Sequence, residues 1–255
     1  MTWEQYDVAR GFASLRAAVV EMLQTGLAPA PALALAGGGI LYSETADITV
    51  SVGGPDGFDD REFAASSEEC ALERERLIAL VELARTGDKE AFGLLYDHYN
   101  AAVFRFLYYR TRSTSLAEDL TSETFFRALR SMNNFRWQGK DFGAWLMTIA
   151  RNLATDHFKA GRTRLEQTTE DMGLHDDTTE SPESTVLSAL TNEMLLTALE
   201  QLPSEQQDCL VMRFLQGMSI AETAAVLQRS EGAVKQLQLR GVRNLAKLMP
   251  EGVRD

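Results

Sequence analysis

Cysteine and histidine are scarce in this sequence. Its 255 residues include two cysteines, Cys70 and Cys209, and three histidines, His98, His157 and His175. The cysteines lie far apart without CxxC spacing, and the histidines form no ligand cluster, so neither a disulfide framework nor a bound metal is expected. A reducing, cytoplasmic setting without a cofactor is the default reading. Long apolar runs are missing too. Nothing approaches the roughly 20 residues that a membrane span needs, and the apolar patch at 27–36 is broken by Pro29 and Pro31 and has no basic leader. Neither membrane insertion nor a secretion signal is expected. Asp97-His98, Asp156-His157 and His175-Asp176 are neighbours in sequence only, and neighbours on a helix or in a linker do not make a proton relay. No catalytic residues are assigned, and no enzyme activity is expected.

Charge is present, but unevenly. The formal net charge is -12. Residues 1–76 hold 5 cations against 13 acids, 77–164 hold 13 against 9, 165–192 hold none against 7, and 193–255 hold 7 against 8. The acid therefore sits mainly in two segments that look least like cores. Within the better-patterned blocks, Arg127 to Arg164 carries 8 cations and 2 acids, and Arg229 to Lys247 carries 5 cations and 1 acid. Two separate basic faces therefore stand on one acidic chain, a distribution that calls for a functional explanation.

The pattern predicts an all-α fold: two small helical domains joined by an acidic linker and preceded by a poorly ordered N-terminal extension. The extension, 1–76, opens with Thr2-Trp3-Glu4-Gln5, a capping box, and places Trp3, Tyr6, Phe12, Leu15, Val19 and Met22 near helical spacing. From 28 to 67 it turns to Pro, Gly, Ala and acid, with weak strand signals. The first domain, 77–164, reads as three main helices. Asp88 caps a helix carrying Phe92, Leu95, Tyr96, Tyr99, Val103, Phe106 and Leu107. A second, about 115 to 131, turns Leu116, Leu120, Phe125 and Leu129 inward. A third carries Trp145, Leu146, Ile149, Leu153 and Phe158 and ends near Gly161. Residues 165–185 are acidic, hydroxyl-rich and poor in apolar side chains, which is linker composition. The second domain, 186–255, should hold helices at about 186–201, 204–216, 219–228 and 230–248.

In "MSIAETAAVLQRSEGAVKQLQLRGVRNLAKL", Ser219 with Glu222 caps one short helix and Ser230 caps another after a tight turn. This is helix-turn-helix spacing. On the second helix Val234, Leu237, Gly241, Leu245 and Leu248 form an inward stripe, leaving Lys235, Gln236, Leu239, Arg240 and Arg243 outward. Such a row suits a major groove, since Lys and Arg pair with guanine or phosphate, Gln with adenine, and Leu meets a thymine methyl. The alternative is a solvated bundle helix. Gln228 stands at the turn where Gly is usual, so that turn is expected to be strained or differently shaped. The loop "FRWQGKDF", 135–142, reads as two core anchors, Phe135 and Phe142, around Arg136, Trp137, Gln138 and Lys140. With Arg151, Asn152, Thr155 and Lys159 on the next helix, it has the stacking and phosphate-holding groups that an unpaired strand requires. Solvated charge is the competing reading.

"AEDLTSETFFRAL" (117–129), then "FGAWLMTIARNLATDHFKAGRTR", then "LPSEQQDCLVMRFLQGMSIAETAAVL" resemble, in order, an extracytoplasmic function sigma factor of the sigma-70 family. The resemblance covers about 77–249, and the long extension before it resembles BldN-like members. It implies region 2 at 77–164 and region 4 at 186–255. By resemblance, Glu118, Asp119, Glu123 and Phe126 dock on the beta-prime clamp helices of core RNA polymerase. The loop after Phe135 would receive a flipped base of the minus 10 element, and Asn152 with its basic neighbours would support the single strand. Lys235, Gln236, Leu239, Arg240 and Arg243 would read the minus 35 element as duplex DNA, while the apolar remainder of that domain meets the beta flap. The linker would thread the active-site and RNA-exit channel or serve as a plain tether, and an anti-sigma factor is an implied partner. The extension, by charge and amphipathic helix, is suited to cover a reading or docking face. The rivals are a stand-alone helix-turn-helix regulator and a protein-interaction module.

Overall fold

The computed structural model describes residues 8–24, 68–136, 141–165 and 183–249. They form α1 (Val8–Gln24), α2 (Glu68–Arg85), α3 (Lys89–Thr111), α4 (Thr114–Ser131), α5 (Phe142–Leu165), α6 (Glu183–Glu200), α7 (Ser204–Leu210), α8 (Ile220–Leu227) and α9 (Glu231–Leu248). A 3-10 turn at Met132–Asn134 follows α4, and a π-helical turn at Val211–Leu215 extends α7. The expected all-α class holds, and no strand occurs among the described residues. The Thr2 to Gln5 capping box, the Pro- and Gly-rich stretch, Trp137 to Lys140 and most of the acidic linker lie outside them. No described helix is long and apolar enough to cross a membrane.

In the first bundle, α2 to α5, the punctuation is local chemistry. Gly87, at φ +98°, turns the chain after α2. Asp88 then starts α3, its Oδ1 accepting from the Ala91 amide at 2.9 Å. Arg112 ends α3 in the left-handed region at φ 55°, and the Ser113 hydroxyl accepts from the Leu116 amide to open α4. Leu95, Tyr99, Val103, Phe106 and Leu107 of α3 are buried with Ala117, Leu120 and Phe125 of α4 and Leu146, Met147, Ala150 and Leu153 of α5. α2 runs through residues 76 and 77, so the compositional boundary there lies within one continuous helix.

Two details of the expected packing need correction. Leu129 is half exposed, because the inward positions of α4 are Ala117, Leu120, Thr121, Thr124, Phe125 and Ala128, a register that carries Leu129 around to the outer face. α5 continues past Gly161 to Leu165, and Gly161 has open space around its Cα and no left-handed backbone, so it does not end the helix.

The second bundle, α6 to α9, contains the expected helix-turn-helix. The Ser219 hydroxyl accepts from the Glu222 amide at 3.1 Å while Glu222 accepts from the Ser219 amide at 2.8 Å, which completes the capping box. Gln228 adopts φ 55°, ψ 44°, so the turn keeps the left-handed shape without the usual glycine. Arg213 is buried beneath α9, its Nε donating to Gln238 Oε1 at 3.1 Å and its Nη1 to the Met218 carbonyl. Leu248 is more exposed than the inward stripe implies.

The sequence carries no sign of how the bundles associate. α8 lies against α5, the π turn touches α3, and α1 rests across α9 and the π turn. Phe12, Leu15, Ala18 and Val19 of α1 are buried, with Phe12 edge-on to Tyr109 of α3 at 5.8 Å. α1 therefore touches both bundles.

Candidate nucleic-acid interface

The start of α5 is held by an aromatic cluster. Phe135 and Phe142 are buried, 5.5 Å apart between ring centroids, and Trp145 lies 5.1 Å from Phe135 and 5.5 Å from Phe142. Tyr99 completes the cluster at 5.5 Å from Phe142, and burial pushes its hydroxyl pKa far above the ordinary range. The two phenylalanines are core anchors, as expected. Asp141 Oδ1 accepts from the Gly143 amide at 2.6 Å and fixes the entry to α5. Arg136 projects at the surface, its Nη1 donating to the carbonyls of Asn133 and Phe135 at 3.0 Å each. The remaining candidates of this loop, Trp137, Gln138 and Lys140, lie outside the described residues.

Along α5, Arg151, Thr155 and Lys159 follow one another at four-residue spacing and share a face. Asn152 and Lys159 are exposed, and the Thr155 hydroxyl donates to the Arg151 carbonyl at 2.8 Å. Arg151 is engaged: its Nε donates to Asp208 Oδ2 of α7 at 2.9 Å. The other oxygen of that carboxylate accepts from Arg110 Nε of α3 at 2.8 Å. Arg110 also stacks over Phe158, 4.6 Å from the ring centroid. Burial pushes the Asp208 carboxyl pKa upward, and the two guanidiniums oppose that shift. Sequence reasoning missed Asp208 and Arg110. The available signal was an acid at an inward position of α7, directly before the apolar run from Cys209 to Met212.

On α9, Lys235, Gln236, Leu239 and Arg240 are exposed, opposite the buried Val234, Gly241, Val242 and Leu245. Arg243 departs from the expected outward row: it is half-buried, and its Nε makes no hydrogen bond among the described residues. α1 leaves the four exposed residues uncovered. On α4, Glu118 and Asp119 are exposed and Glu123 pairs with Arg127 at 2.7 Å. Phe126 and Leu129, 54% and 51% exposed, form an apolar spot at the surface, with Arg130 lying 5.6 Å over the Phe126 ring.

The Sigma-70 region 2 family model matches residues 95–164, and the Sigma-70 region 4 model matches 192–245. The chain is 46% identical over 248 residues to the ECF RNA polymerase sigma factor BldN of Streptomyces coelicolor, an alignment covering 97% of this chain and 91% of that protein. It is 34% identical to the ECF RNA polymerase sigma factor SigX of Bacillus subtilis, over 63% of this chain and 84% of the relative. A solved structure of the sigma factor RpoE with the anti-sigma factor NepR from Bartonella quintana shares the fold at 21% identity and TM-score 0.50, covering 62% of this chain and 95% of that one. The order of the two matched regions and the near full-length similarity agree, and the chain belongs to the extracytoplasmic function RNA polymerase sigma factors of the sigma-70 family.

Proposed function

We propose that this sigma factor divides its DNA work between α5 and α9. Residues 77–164 act as region 2, docking on core polymerase and holding the melted minus 10 strand. Residues 186–255 act as region 4 and read the minus 35 duplex, with 165–185 as the connector and 1–76 as an N-terminal extension whose α1 packs on both bundles and whose last residues begin α2. The observation that carries this reading is the two-sidedness of α9: four exposed groups suited to a major groove, Lys235, Gln236, Leu239 and Arg240, stand on a helix whose other face is sealed into the bundle. Lys235 and Arg240 supply phosphate and guanine contacts, Gln236 supplies an adenine contact, and Leu239 supplies the methyl contact. Arg243, half-buried, is assigned to backbone phosphate at the edge of that surface.

On the region 2 side, Arg136, Trp137, Gln138 and Lys140 form the base-capture loop, and Arg151, Asn152, Thr155 and Lys159 form the strand support behind it. Unstacking a base costs a few kcal/mol, which aromatic stacking and phosphate contacts offset. The rigid aromatic cluster under Phe135 and Phe142 supports such a loop by fixing its two ends. Glu118, Asp119, Glu123 and Phe126 make the polymerase-docking face, an exposed apolar spot within a ring of charge. The protein acts in the cytoplasm, where polymerase and promoters are, and hydrolyses no nucleotide itself. RpoE is solved with an anti-sigma factor, and we extend a partner of that kind to this chain.

Run-off transcription with purified core polymerase on a promoter-fragment library tests the assignment. Transcripts sharing two spaced upstream elements are expected. Arg240→Ala should erase the preference at the upstream element, and Asn152→Ala should slow strand opening at the downstream one. Duplex binding by the chain alone, with no transcription on adding core, would favour the stand-alone regulator.

A further inference from the structure

We infer that Asp208 is an internal stand-in for a DNA backbone phosphate, which region 4 inserts between Arg110 and Arg151 of region 2 when the chain is closed. The inference rests on the proposed role of Arg151 at the melted strand. Asp208 is the one carboxylate among the described residues with an oxygen bonded to each of two arginines from the other bundle, at 2.8 Å and 2.9 Å. Its side chain is 2% exposed, and those of Arg110 and Arg151 are 9% and 18% exposed. In this state the Nε of each guanidinium is taken by Asp208, with Arg110 almost wholly buried and Arg151 partly so.

The chemistry of the exchange is symmetric. A carboxylate and a phosphodiester each present two anionic oxygens to the guanidinium fork, so replacing one by the other keeps both cations paired and hydrogen-bonded. Parting the bundles with no replacement would strand charges that were buried as a set. Phe158 holds Arg110 in place from behind, and Asn152, Thr155 and Lys159 continue the same helix beyond Arg151. α8 lies along α5 in the closed chain, so the contact that occupies Arg151 also sets region 4 on the helix proposed to support the strand. At the rim, Arg112 bonds Glu193 and, at 3.1 Å, Glu200 of α6, a second and more exposed ionic tie between the same bundles. The closed state thus has an inner contact shielded from salt and an outer one that salt screens.

The test uses the full chain labelled for energy transfer on Ser115→Cys and Ala233→Cys, with Cys70→Ser in the background. Binding is read by anisotropy of a fluorescent random-sequence DNA strand of about 20 nucleotides. Asp208→Asn should lower the transfer efficiency and raise strand affinity about tenfold, as releasing a closed population does. Adding Arg151→Ala should cancel that gain. The paired change Glu193→Lys and Glu200→Lys, at exposed sites, should act in the same direction to a lesser extent, and it decides the matter if circular dichroism shows Asp208→Asn unfolded. Unchanged transfer in folded variants overturns the latch. Lower transfer with unchanged strand affinity overturns the phosphate mimicry, and run-off activity of Arg151→Ala holoenzyme then reports separately: reduced opening would mean that the strand role of Arg151 stands without the mimicry.

Discussion

Gly241 of α9 faces Leu210 of α7 so closely that a Cβ at position 241 would lie 3.1 Å from Leu210 Cγ and 3.2 Å and 3.3 Å from its two methyl carbons. α9 is seated by that contact, with Val234 and Leu245 buried on either side of it along the helix. Gly241→Val should therefore overpack the α7–α9 interface and cost about 1–3 kcal/mol. Urea denaturation reads the loss, and adding Leu210→Ala should return part of it by opening space where the new methyls point. Independent, additive losses in the double variant would mean that the two residues are not coupled.

Gln228 bears a side chain in the left-handed region, at φ 55° and ψ 44°. That conformation costs an L-residue about 1–2 kcal/mol, while glycine gives back about 0.5–1 kcal/mol through its freer unfolded chain. Gln228→Gly should accordingly stabilise the protein by about 0.5–1 kcal/mol. The denaturation midpoint should rise with no change in slope, and a lower midpoint would show that the Gln228 side chain contributes more to the turn than its backbone strain costs.

What was legible in the sequence is the part set by near neighbours. Asp88, Ser219 with Glu222, and Ser230 announce their helices because a cap is a contact between residues two or three apart. The exposed row on α9 was legible for the same reason, since helical periodicity assigns faces. Leu129 was misplaced because several registers fit the apolar residues of α4, and only the packing partners choose among them. The Asp208 pair with Arg110 and Arg151 was illegible: it joins residues 98 and 57 positions apart, and periodicity says nothing of which bundle faces which. The placement of α1 across α9 was hidden likewise, although its own apolar stripe was plain.

Burial pushes the Cys209 thiol pKa from 9.0 up to about 12 and the Tyr109 hydroxyl from 10.0 up to about 12. Both groups hold their protons in the folded chain at a pH where the unfolded chain gives them up. Their contribution to stability is thus complete below pH 9 and is lost as pH rises from 9 towards 12. Urea midpoints should be level between pH 8 and 9 with respect to these groups and then fall. In a Cys70→Ser background, Cys209 should resist a thiol reagent at neutral pH until denaturant is added, because the thiolate is the reactive form and this thiol is buried. Rapid labelling of the native protein would contradict the burial.

Phe126 is the largest apolar group that α4 leaves at the surface, and only the Arg130 guanidinium is seen over its ring among the described contacts. Its truncation removes little from the bundle core, so Phe126→Ala should change folding stability by no more than about 0.5 kcal/mol. If α4 is the polymerase-docking helix, the same change removes an aromatic anchor from the interface centre and should weaken binding to core polymerase by about tenfold or more. Competition against a labelled sigma factor for core measures this directly. Glu118→Ala, at the charged rim, should have a smaller effect that shrinks further as salt is raised. A Phe126→Ala protein with unaltered core affinity would exclude this face from docking. A large loss of stability would instead make the exposed ring a support for α4 itself.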